Sequence, residues 1–306
     1  MSTFALVGAL ELGLIYALVG LGVFLSFRVL AFPDLTVDGS FPLGAAVAAQ
    51  GIVAGVDPFL ATFLAILAGG LAMLVTAILN VRFGILHLLA SILTMIGLYS
   101  VILRVMGRPN LALINEPTVL TPFQDFLPGL WLRPLFAGAV VVLVALLLVR
   151  GLASDYGLAM RAVGANPRMA RAQGIATGRA ICAGMAISNG LVALAGALFA
   201  QTNGFADVTL GTGTIVVGLA AVIVGETLFG ARTVAVAVSA VIAGAVLYRL
   251  AIALALNTRW LGLEATDLNL LTAVLVATAL ILGRLRAPRL ARASREAAPA
   301  PSRTDA

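Results

Sequence analysis

Long apolar segments recur along almost the whole chain, and most of them are long enough to cross a lipid bilayer. An α-helix rises 1.5 Å per residue, so about 20 apolar residues cross a hydrocarbon core of roughly 30 Å. Nine such segments lie near residues 4–25, 41–56, 59–79, 87–105, 134–150, 179–200, 211–229, 233–253 and 262–283. The sequence therefore predicts an all-α, polytopic integral membrane protein with about nine transmembrane or part-spanning helices.

The composition excludes several classes of protein. Charged residues make up only 10% of the 306 residues, against about 25% in soluble domains, which is too few to cover a water-soluble enzyme. All 19 basic residues are arginine, so the chain cannot supply the lysine that a P-loop ATPase needs. With a single Cys182 and a single His87, metal clusters and disulfide frameworks are also excluded. We expect no catalytic residue, metal or cofactor here, and a source of energy on another polypeptide.

The positions of the arginines predict the orientation in the membrane. No basic residue precedes Arg28, so the first span is expected to begin outside the cell and the last to end in the cytoplasm. The tail, 284–306, is rich in Arg, Ala and Pro and is predicted to be disordered and cytoplasmic. The internal set is then Arg28, Arg82, Arg150, Arg161, Arg168, Arg171, Arg179, Arg232 and the tail arginines, and the external set is Arg104, Arg108, Arg133, Arg249 and Arg259. The excess inside agrees with the positive-inside rule.

The two ends of the chain resemble each other at a constant offset. The run LNVRFGI from Leu79 recurs as LNTRWLGL from Leu256, and the run from Gly13 recurs from Gly190 at the same offset of 177 residues. These matches predict repeat halves of about 10–109 and 187–288 within a transmembrane permease domain, 1–283. Five spans separate equivalent points, an odd number, so the halves are expected to lie inverted, as in transporters that alternate access.

Corresponding short segments in the two halves point to a candidate pathway. The second span is short for a full crossing, and its counterpart begins with Gly211-Thr212-Gly213. Interrupted segments at corresponding positions favour a binding site or pathway, and each follows an Asp-x-Thr element. The candidate pathway residues here are Asp34, Thr36, Asp38, Asp207 and Thr209. Equally open is the interpretation that Asp38, Ser40 and Thr209 only cap helices.

A few polar residues lie inside predicted spans. Glu11 lies a third of the way into the first span, where insertion of a carboxylate costs about 2.5–3.5 kcal/mol. Ser188 and Asn189 lie at the equivalent place of the sixth span. All three are added to the candidate pathway, and a polar contact between Glu11 and Asn189 is predicted. Glu226 is predicted to form an interfacial ion pair with Arg232.

The connection 151–178 is predicted to be a structured cytoplasmic coupling loop. Asp155 is expected to cap a helix that ends at Val163, and a second helix is expected to start at Pro167 and end at Gly174. An arginine-bearing helix pair of this kind suits docking into a partner. The candidate coupling residues are Arg161, Asn166, Pro167, Arg168, Arg171 and Gly174.

These motifs are similar to those of a known family, the membrane permeases of bacterial ABC importers of the branched-chain amino acid and simple-sugar class. The stretch GLAMRAVGANP at 157–167, with RAQGI at 171–175, looks like the coupling loop of that family. The stretch FPDLTVDGSFPLGAA at 32–46, with SNGL at 188–191 and GLAA at 218–221, looks like the subgroup served by tryptophan/tyrosine-type binding proteins.

The resemblance implies a function and a set of partners. The chain would be the permease subunit of an importer in the bacterial inner membrane, translocating a small solute, with an amino acid the first expectation and a nucleoside or sugar the alternative. A separate cytoplasmic ATPase, an external substrate-binding protein and a second permease copy would complete the complex. The rival function is an ion-coupled secondary transporter with the same inverted repeat.

Overall fold

The chain folds into a bundle of α-helices in a computed structural model, which describes residues 3–124, 129–230, 232–257, 272–274, 277–278 and 281. Ten helices are delimited among these residues, and the predicted all-α membrane fold is confirmed. Their bounds are α1 Thr3–Val23, α2 Val37–Val53, α3 Pro58–Val81, α4 His87–Met106, α5 Gly129–Ala153, α6 Asp155–Ala165, α7 Pro167–Ala172, α8 Thr177–Asn203, α9 Thr214–Phe229 and α10 Val234–Asn257.

Six of the described helices are long and apolar enough to cross a membrane: α1, α3, α4, α5, α8 and α10. Helices α2 and α9 are shorter, with 17 and 16 residues. Three predicted boundaries differ from the observed ones. The second segment was expected at 41–56, but α2 lies closer to the N-terminus. The fifth segment begins at Gly129 instead of 134, and the seventh segment begins at Thr214 instead of 211. The predicted ninth segment and the tail lie almost entirely outside the described residues.

The core of the bundle is formed by α1 and α8. About 67% of the most apolar window of α8 is buried, against 22% for α5, so α5 lies at the periphery of the bundle. Small residues allow the close packing at the centre. A Cβ atom at Gly196 of α8 would overlap the carbonyl oxygen of Phe41 in α2, and one at Gly44 of α2 would overlap that of Ala193. Bulkier residues at these glycines would separate α2 from α8.

The helix contacts repeat with the two halves exchanged. Helix α3 packs on α8 as α10 packs on α1, and α2 packs on α8 as α9 packs on α1. Phe41 contacts Gly196, and Val19 contacts Gly218. Phe41 and Gly218 are 177 residues apart, as are Val19 and Gly196, and this is the offset found in the sequence.

Two short connections meet beyond the ends of the long helices. Strand β1, Asn110–Ala112, follows α4, and strand β2, Phe205–Asp207, follows α8. They pair antiparallel, with Asn110 opposite Asp207 and Ala112 opposite Phe205. A 3-10 turn, Thr121–Phe123, follows in the connection to α5. The ribbon joins the predicted external segment between α4 and α5 to the loop that precedes α9.

The end of α1 is reshaped where the chain turns back. The helix continues as a π-helix, Phe24–Val29, and the Ser26 hydroxyl donates to backbone carbonyls one turn earlier. Ala31 then takes a positive φ of 52°, and residues up to Thr36 are without helix. This extended segment enters the bundle and places Asp34 against α8.

Candidate functional site

The predicted coupling loop forms two short helices that pack on the membrane domain. The Ser154 hydroxyl accepts a hydrogen bond from the Gly157 amide at 3.3 Å, so Ser154 caps α6 and the prediction of Asp155 as the cap is wrong. Asp155 is the first residue of the helix, where its carboxylate still favours the positive end of the helix dipole. At the far end of α6, Gly164 lies against the carbonyl oxygen of Val29. Helix α6 therefore packs on the C-terminal end of the π-helix, with no room for a side chain between them.

Helix α7 carries three of the six predicted coupling residues, is flanked by two more, and is exposed. The Asn166 side chain accepts hydrogen bonds from the amides of Arg168 and Met169, both at 3.1 Å, with Pro167 as the first helical residue. Gly174 ends the turn with a φ of +81°, a conformation that favours glycine. Of the six residues of α7, Ala170 alone is buried, which leaves Arg168, Met169 and Arg171 to solvent.

Two of the coupling arginines also make internal contacts. The guanidinium of Arg171 donates to the Thr177 hydroxyl at 3.2 Å, which ties α7 to the start of α8. Arg161 on α6 is half-buried, and its Nε atom has no hydrogen-bond partner among the described residues. It lines a cavity of about 450 Å³ together with Arg28, Glu226 and Arg232. Glu226 pairs there with Arg28 at 2.6 Å, so the predicted ion pair with Arg232 is wrong.

Asp34 and Asn189, two predicted pathway residues, form a buried pair. The Asn189 side chain donates to the Asp34 carboxyl at 2.6 Å, and the Thr36 amide donates to it at 2.8 Å. The Thr36 hydroxyl continues the network to Thr76, which donates to Thr94. All of these side chains are buried. The network joins α8 to the segment before α2 and to α3 and α4.

Glu11 and Ser188 make other contacts between α1 and α8. The Ser188 hydroxyl donates to the Gly22 carbonyl at 2.7 Å. Glu11 is buried, bonds to the Thr202 side chain and lies near the charge of Arg133. The predicted contact between Glu11 and Asn189 is therefore wrong, because Asn189 is bound to Asp34. No motif identified the correct partners, because Glu11 and Thr202 meet only where α1 packs on α8.

Asp38 connects the two predicted halves. It lies in the first turn of α2, and its carboxylate accepts hydrogen bonds from the amides of Ile215 at 2.8 Å and Gly213 at 3.4 Å. Asp38 therefore does cap a helix, but α9 instead of its own. Ser40 caps no helix, since its buried hydroxyl has no hydrogen-bond partner among the described residues. Asp38 and Ile215 are themselves 177 residues apart.

Asp207 repeats the local geometry of Asp34 in a different setting. The Thr209 amide donates to Asp207 at 2.7 Å, as the Thr36 amide does to Asp34. Thr209 thus completes this turn instead of capping α9. Asp207 lies in strand β2 and also accepts a hydrogen bond from the Asn110 side chain at 3.1 Å. Partial burial raises the pKa of the Asp207 carboxyl, but the hydrogen bonds from Thr209 and Asn110 outweigh it and hold the pKa below its ordinary value.

Two cavities lie beside the segment that precedes α9, and both include Thr212. One, of about 460 Å³, is lined by Asp38 and Thr209 of the predicted pathway and by Tyr99 of α4. The other, of about 320 Å³, is lined by Tyr16, Thr214, Tyr248 and Arg249. Polar and aromatic side chains therefore converge on the start of α9 from both sides.

Arg249 is a residue that the sequence interpretation missed as a site candidate. It was assigned to the external surface as a marker of topology, but it lies inside α10, 3.9 Å above the centre of the Tyr16 ring. The signal that identifies it is a single charged residue in the apolar run from 234 to 257. Such residues face the protein interior and are usually functional.

Comparisons with known proteins agree with this arrangement. Residues 5–283 match the profile of the family described as branched-chain amino acid transport system / permease component. The tyrosine transport system permease protein of Clostridioides difficile (strain R20291) is 38% identical over 280 residues, which cover 92% of each chain. The uncharacterized protein RP368 of Rickettsia prowazekii (strain Madrid E) is 40% identical over 225 residues, 73% of this chain and 78% of that one. No solved structure matches the chain.

The family match covers nearly all of the predicted transmembrane permease domain. It confirms the resemblance drawn from the coupling loop and from the stretch at 32–46, and with it the predicted function as a permease component of an ABC transport system. The chain therefore belongs to the family of permease components of branched-chain amino acid transport systems.

Proposed function

We propose that this permease translocates an amino acid across the bacterial inner membrane as part of an ABC importer. A cytoplasmic ATPase would supply the energy, an external binding protein would deliver the substrate, and a second copy of the permease would complete the pathway. The observation that carries the proposal is the exposed helix α7, which is capped at both ends. Its arginines project from a membrane domain that matches the permease family. The substrate class is supported by the relative that is named a tyrosine transport permease.

The packing of α6 supports a mechanism for the coupling. Gly164 lies against Val29 at the end of the π-helix, and Gly157 lies against Leu152 at the end of α5. A force applied to α7 by the ATPase would thus reach α1 and α5 through rigid contacts. Because close-packed interiors deform little, such a displacement would move whole helices.

Alternating access around an inverted repeat is the translocation mechanism we infer. The exchanged contacts of α1 and α8 with their neighbours support it, as does the bond between Asp38 and Ile215. A residue that contacts its own repeat equivalent is expected on a pseudo-twofold axis. The repeat halves would be about 10–109 and 187–288.

The pathway would run past the start of α9. Asp38 and Thr209 line a cavity there, which supports their place in the pathway. Glu11, Asp34, Thr36, Ser188, Asn189 and Asp207 remain proposed pathway residues. The hydrogen bonds that occupy Asp34 and Asn189 would have to open in another conformation before these two residues could meet substrate.

Charge reversal on α7 tests the docking to an ATPase. In the double variant Arg168→Glu, Arg171→Glu we expect co-purification with the partner ATPase to fall at least about tenfold, because two attractive contacts become repulsive. Arg82→Glu is the matched control, since Arg82 is exposed and is expected on the same side of the membrane. Undiminished co-purification of the double variant would contradict the coupling role.

Uptake without an ATPase tests the rival function. An ion-coupled transporter would concentrate substrate when reconstituted alone under a proton or sodium gradient, and Glu11→Gln would abolish that uptake. The proposed importer would take up nothing under those conditions. Concentrative uptake by the purified chain alone would overturn the proposal.

A further inference from the structure

Arg249 places a positive charge inside a membrane-spanning helix. It is the only Lys, Arg, Asp or Glu in α10, Val234–Asn257. It is half-buried and lies about 12 Å from the end of the helix at 1.5 Å per residue. A charged side chain inside a transmembrane helix costs about 2.5–3.5 kcal/mol on insertion scales. Its position therefore requires an interaction that offsets this cost.

Within the described part of the chain, Arg249 lies against an aromatic ring and pairs with no carboxylate. Its guanidinium carbon lies 3.9 Å from the centre of the Tyr16 ring, a cation–π contact. Its Nε atom is buried and has no hydrogen-bond partner in the part of the chain that the structure describes. The salt bridge found among the same residues joins Arg28 to Glu226 and so does not involve Arg249. Among the described residues, no carboxylate therefore pairs with Arg249.

The contact between α1 and α10 holds this arginine in place. A Cβ atom at Gly13 would lie 3.0 Å from the Cα atom of Val246 and 3.5 Å from the Cβ atom of Arg249. Because Gly13 has no side chain, α1 and α10 approach closely at this point. Tyr16 lies one turn after Gly13 on α1, and Arg249 lies above its ring. Tyr16 lies at the middle of the span Thr3–Val29, so the charge is held deep in the membrane domain.

The cavity beside Arg249 has the size and lining of a small-ligand site. Its volume is about 320 Å³, at the lower end of the roughly 300–1,000 Å³ of ligand pockets. Thr212 and Thr214 contribute hydroxyls, while Val216, Val217 and Ile252 form an apolar wall. The planar guanidinium donates in a fork that fits the two oxygens of a carboxylate.

We propose that Arg249 binds the carboxylate of the transported amino acid while the side chain of the substrate rests against Tyr16 and the apolar wall. The inference rests on the proposed function and adds to it a chemical class, an amino acid with a free carboxylate, and an intramembrane site. Tyr16 orients the guanidinium from below and leaves its donors turned to the substrate.

Single-cysteine labelling tests the site without transport. Cys182 is the only cysteine in the chain, so Cys182→Ser gives a cysteine-free background. Thr212→Cys in that background places a thiol on the exposed rim of the cavity. We expect an anionic methanethiosulfonate to react faster than a cationic one of similar size, and the ratio of the two rates to fall about tenfold in Arg249→Gln, which corresponds to about 1.4 kcal/mol.

A competing ligand sharpens this measurement. Excess L-tyrosine is expected to slow the labelling of Thr212→Cys when Arg249 is present, and tyramine, which lacks the carboxylate, is expected to leave it unchanged. Equal rates for the two reagents, no reaction with either, or equal protection by tyramine would each overturn the proposal. A thiol at Ser100, exposed on α4 beside the other cavity, is the control and should keep its rate ratio in Arg249→Gln.

Uptake by the reconstituted complex separates this inference from the proposed function. With the ATPase and the binding protein present, Arg249→Gln is expected to lower the uptake of L-tyrosine at least about tenfold. Arg249→Lys keeps the charge without the fork, so we expect a raised KM with residual uptake. If Arg249→Gln fails to fold, the KM of Arg249→Lys tests the role of Arg249 instead.

The outcomes are distinct. Arg104→Gln, a matched change in an exposed arginine at the end of α4, should retain full uptake. If the wild-type complex takes up no amino acid with ATP, the proposed function fails. If the wild type transports L-tyrosine and Arg249→Gln or Arg249→Lys has the same KM and rate, the role of Arg249 alone is overturned.

Discussion

Asp34 and Asn189 illustrate how single residues stabilise this membrane domain. A carboxyl group that is removed from water needs hydrogen-bond donors, because an unsatisfied buried polar group costs about 1–3 kcal/mol. The Asn189 side chain and the Thr36 amide provide two donors within 2.8 Å. The pair thus fixes the extended segment before α2 to the middle of α8.

Removal of the Asn189 amide should destabilise the protein. In Asn189→Leu, a change of similar volume, we expect the free energy of unfolding in detergent to fall by about 2 kcal/mol, since Asp34 loses a donor that no water replaces. The apparent melting temperature measures the effect. Asn203→Leu is the control, because Asn203 is exposed at the end of the same helix. Equal losses in both variants would contradict the role of the buried pair.

The low pKa of Asp207 predicts a pH dependence at the β1–β2 ribbon. A carboxyl whose folded pKa is depressed adds stability that is present above its unfolded pKa and is lost as the pH falls through the folded value. The protection factors of the ribbon amides should therefore fall as the pH drops below about 4. Hydrogen exchange measures this, and in Asp207→Asn the dependence should be absent. A wild-type ribbon that keeps full protection at pH 2 would refute the assignment.

Residue types and positions were read correctly from the sequence more often than residue partners. Helix α7 begins at Pro167 as expected, because a helix start depends on residues that are only a few positions apart. Glu226 and Asn189 bond to residues more than 150 positions away. Such contacts depend on how helices cross, and an apolar pattern carries almost no information about that crossing.

At the scale of helices, close approach is controlled by glycine. Gly196 of α8 lies against the backbone of Phe41, whereas Gly97 of α4 has nothing within 4 Å of a Cβ position. A backbone carbonyl cannot move aside as a flexible side chain can. The two glycines therefore predict opposite outcomes for the same substitution.

Gly196→Ala should destabilise the contact between α2 and α8. We expect a loss of about 1–3 kcal/mol, typical of overpacking, in spite of the higher helix propensity of alanine. Gly97→Ala should leave the stability unchanged or raise it by up to about 1 kcal/mol. Thermal unfolding of the two variants in detergent gives the comparison. If Gly196→Ala and Gly97→Ala have comparable stability, then α2 and α8 can move apart without a loss in the free energy of unfolding.

Helix existence followed from the apolar pattern, but helix boundaries did not. The second segment was expected from residue 41 and begins at Val37, since Asp38 and Gly39 can enter a helix whose first turn is buried against α9 and α4. In α6 the serine before Asp155 provides the cap. Serine and aspartate have similar preferences for the capping position. The backbone conformation at the end of α5 therefore decides which of Ser154 and Asp155 caps α6.

At the scale of the whole molecule, the orientation makes a direct prediction. In the Cys182→Ser background, Gln124→Cys in the α4–α5 connection should react with a membrane-impermeant maleimide added to intact spheroplasts. Ala172→Cys on α7 should react only after the membrane is permeabilised. Both positions are exposed, so access alone separates them. Labelling of Ala172→Cys in intact spheroplasts would reverse the proposed topology.

The sequence by itself determined the class of fold, the family and the presence of two short helices between α5 and α8, because hydrophobicity, missing lysine and short-range motifs are local properties of the chain. Only the tertiary structure decided which polar groups meet: Asp34 with Asn189, Asp38 with the start of α9, and Arg249 with Tyr16. In the membrane interior there is little hydrophobic driving force between helices. Partner choice therefore follows from glycine-mediated packing and hydrogen bonding across crossings that no single segment encodes.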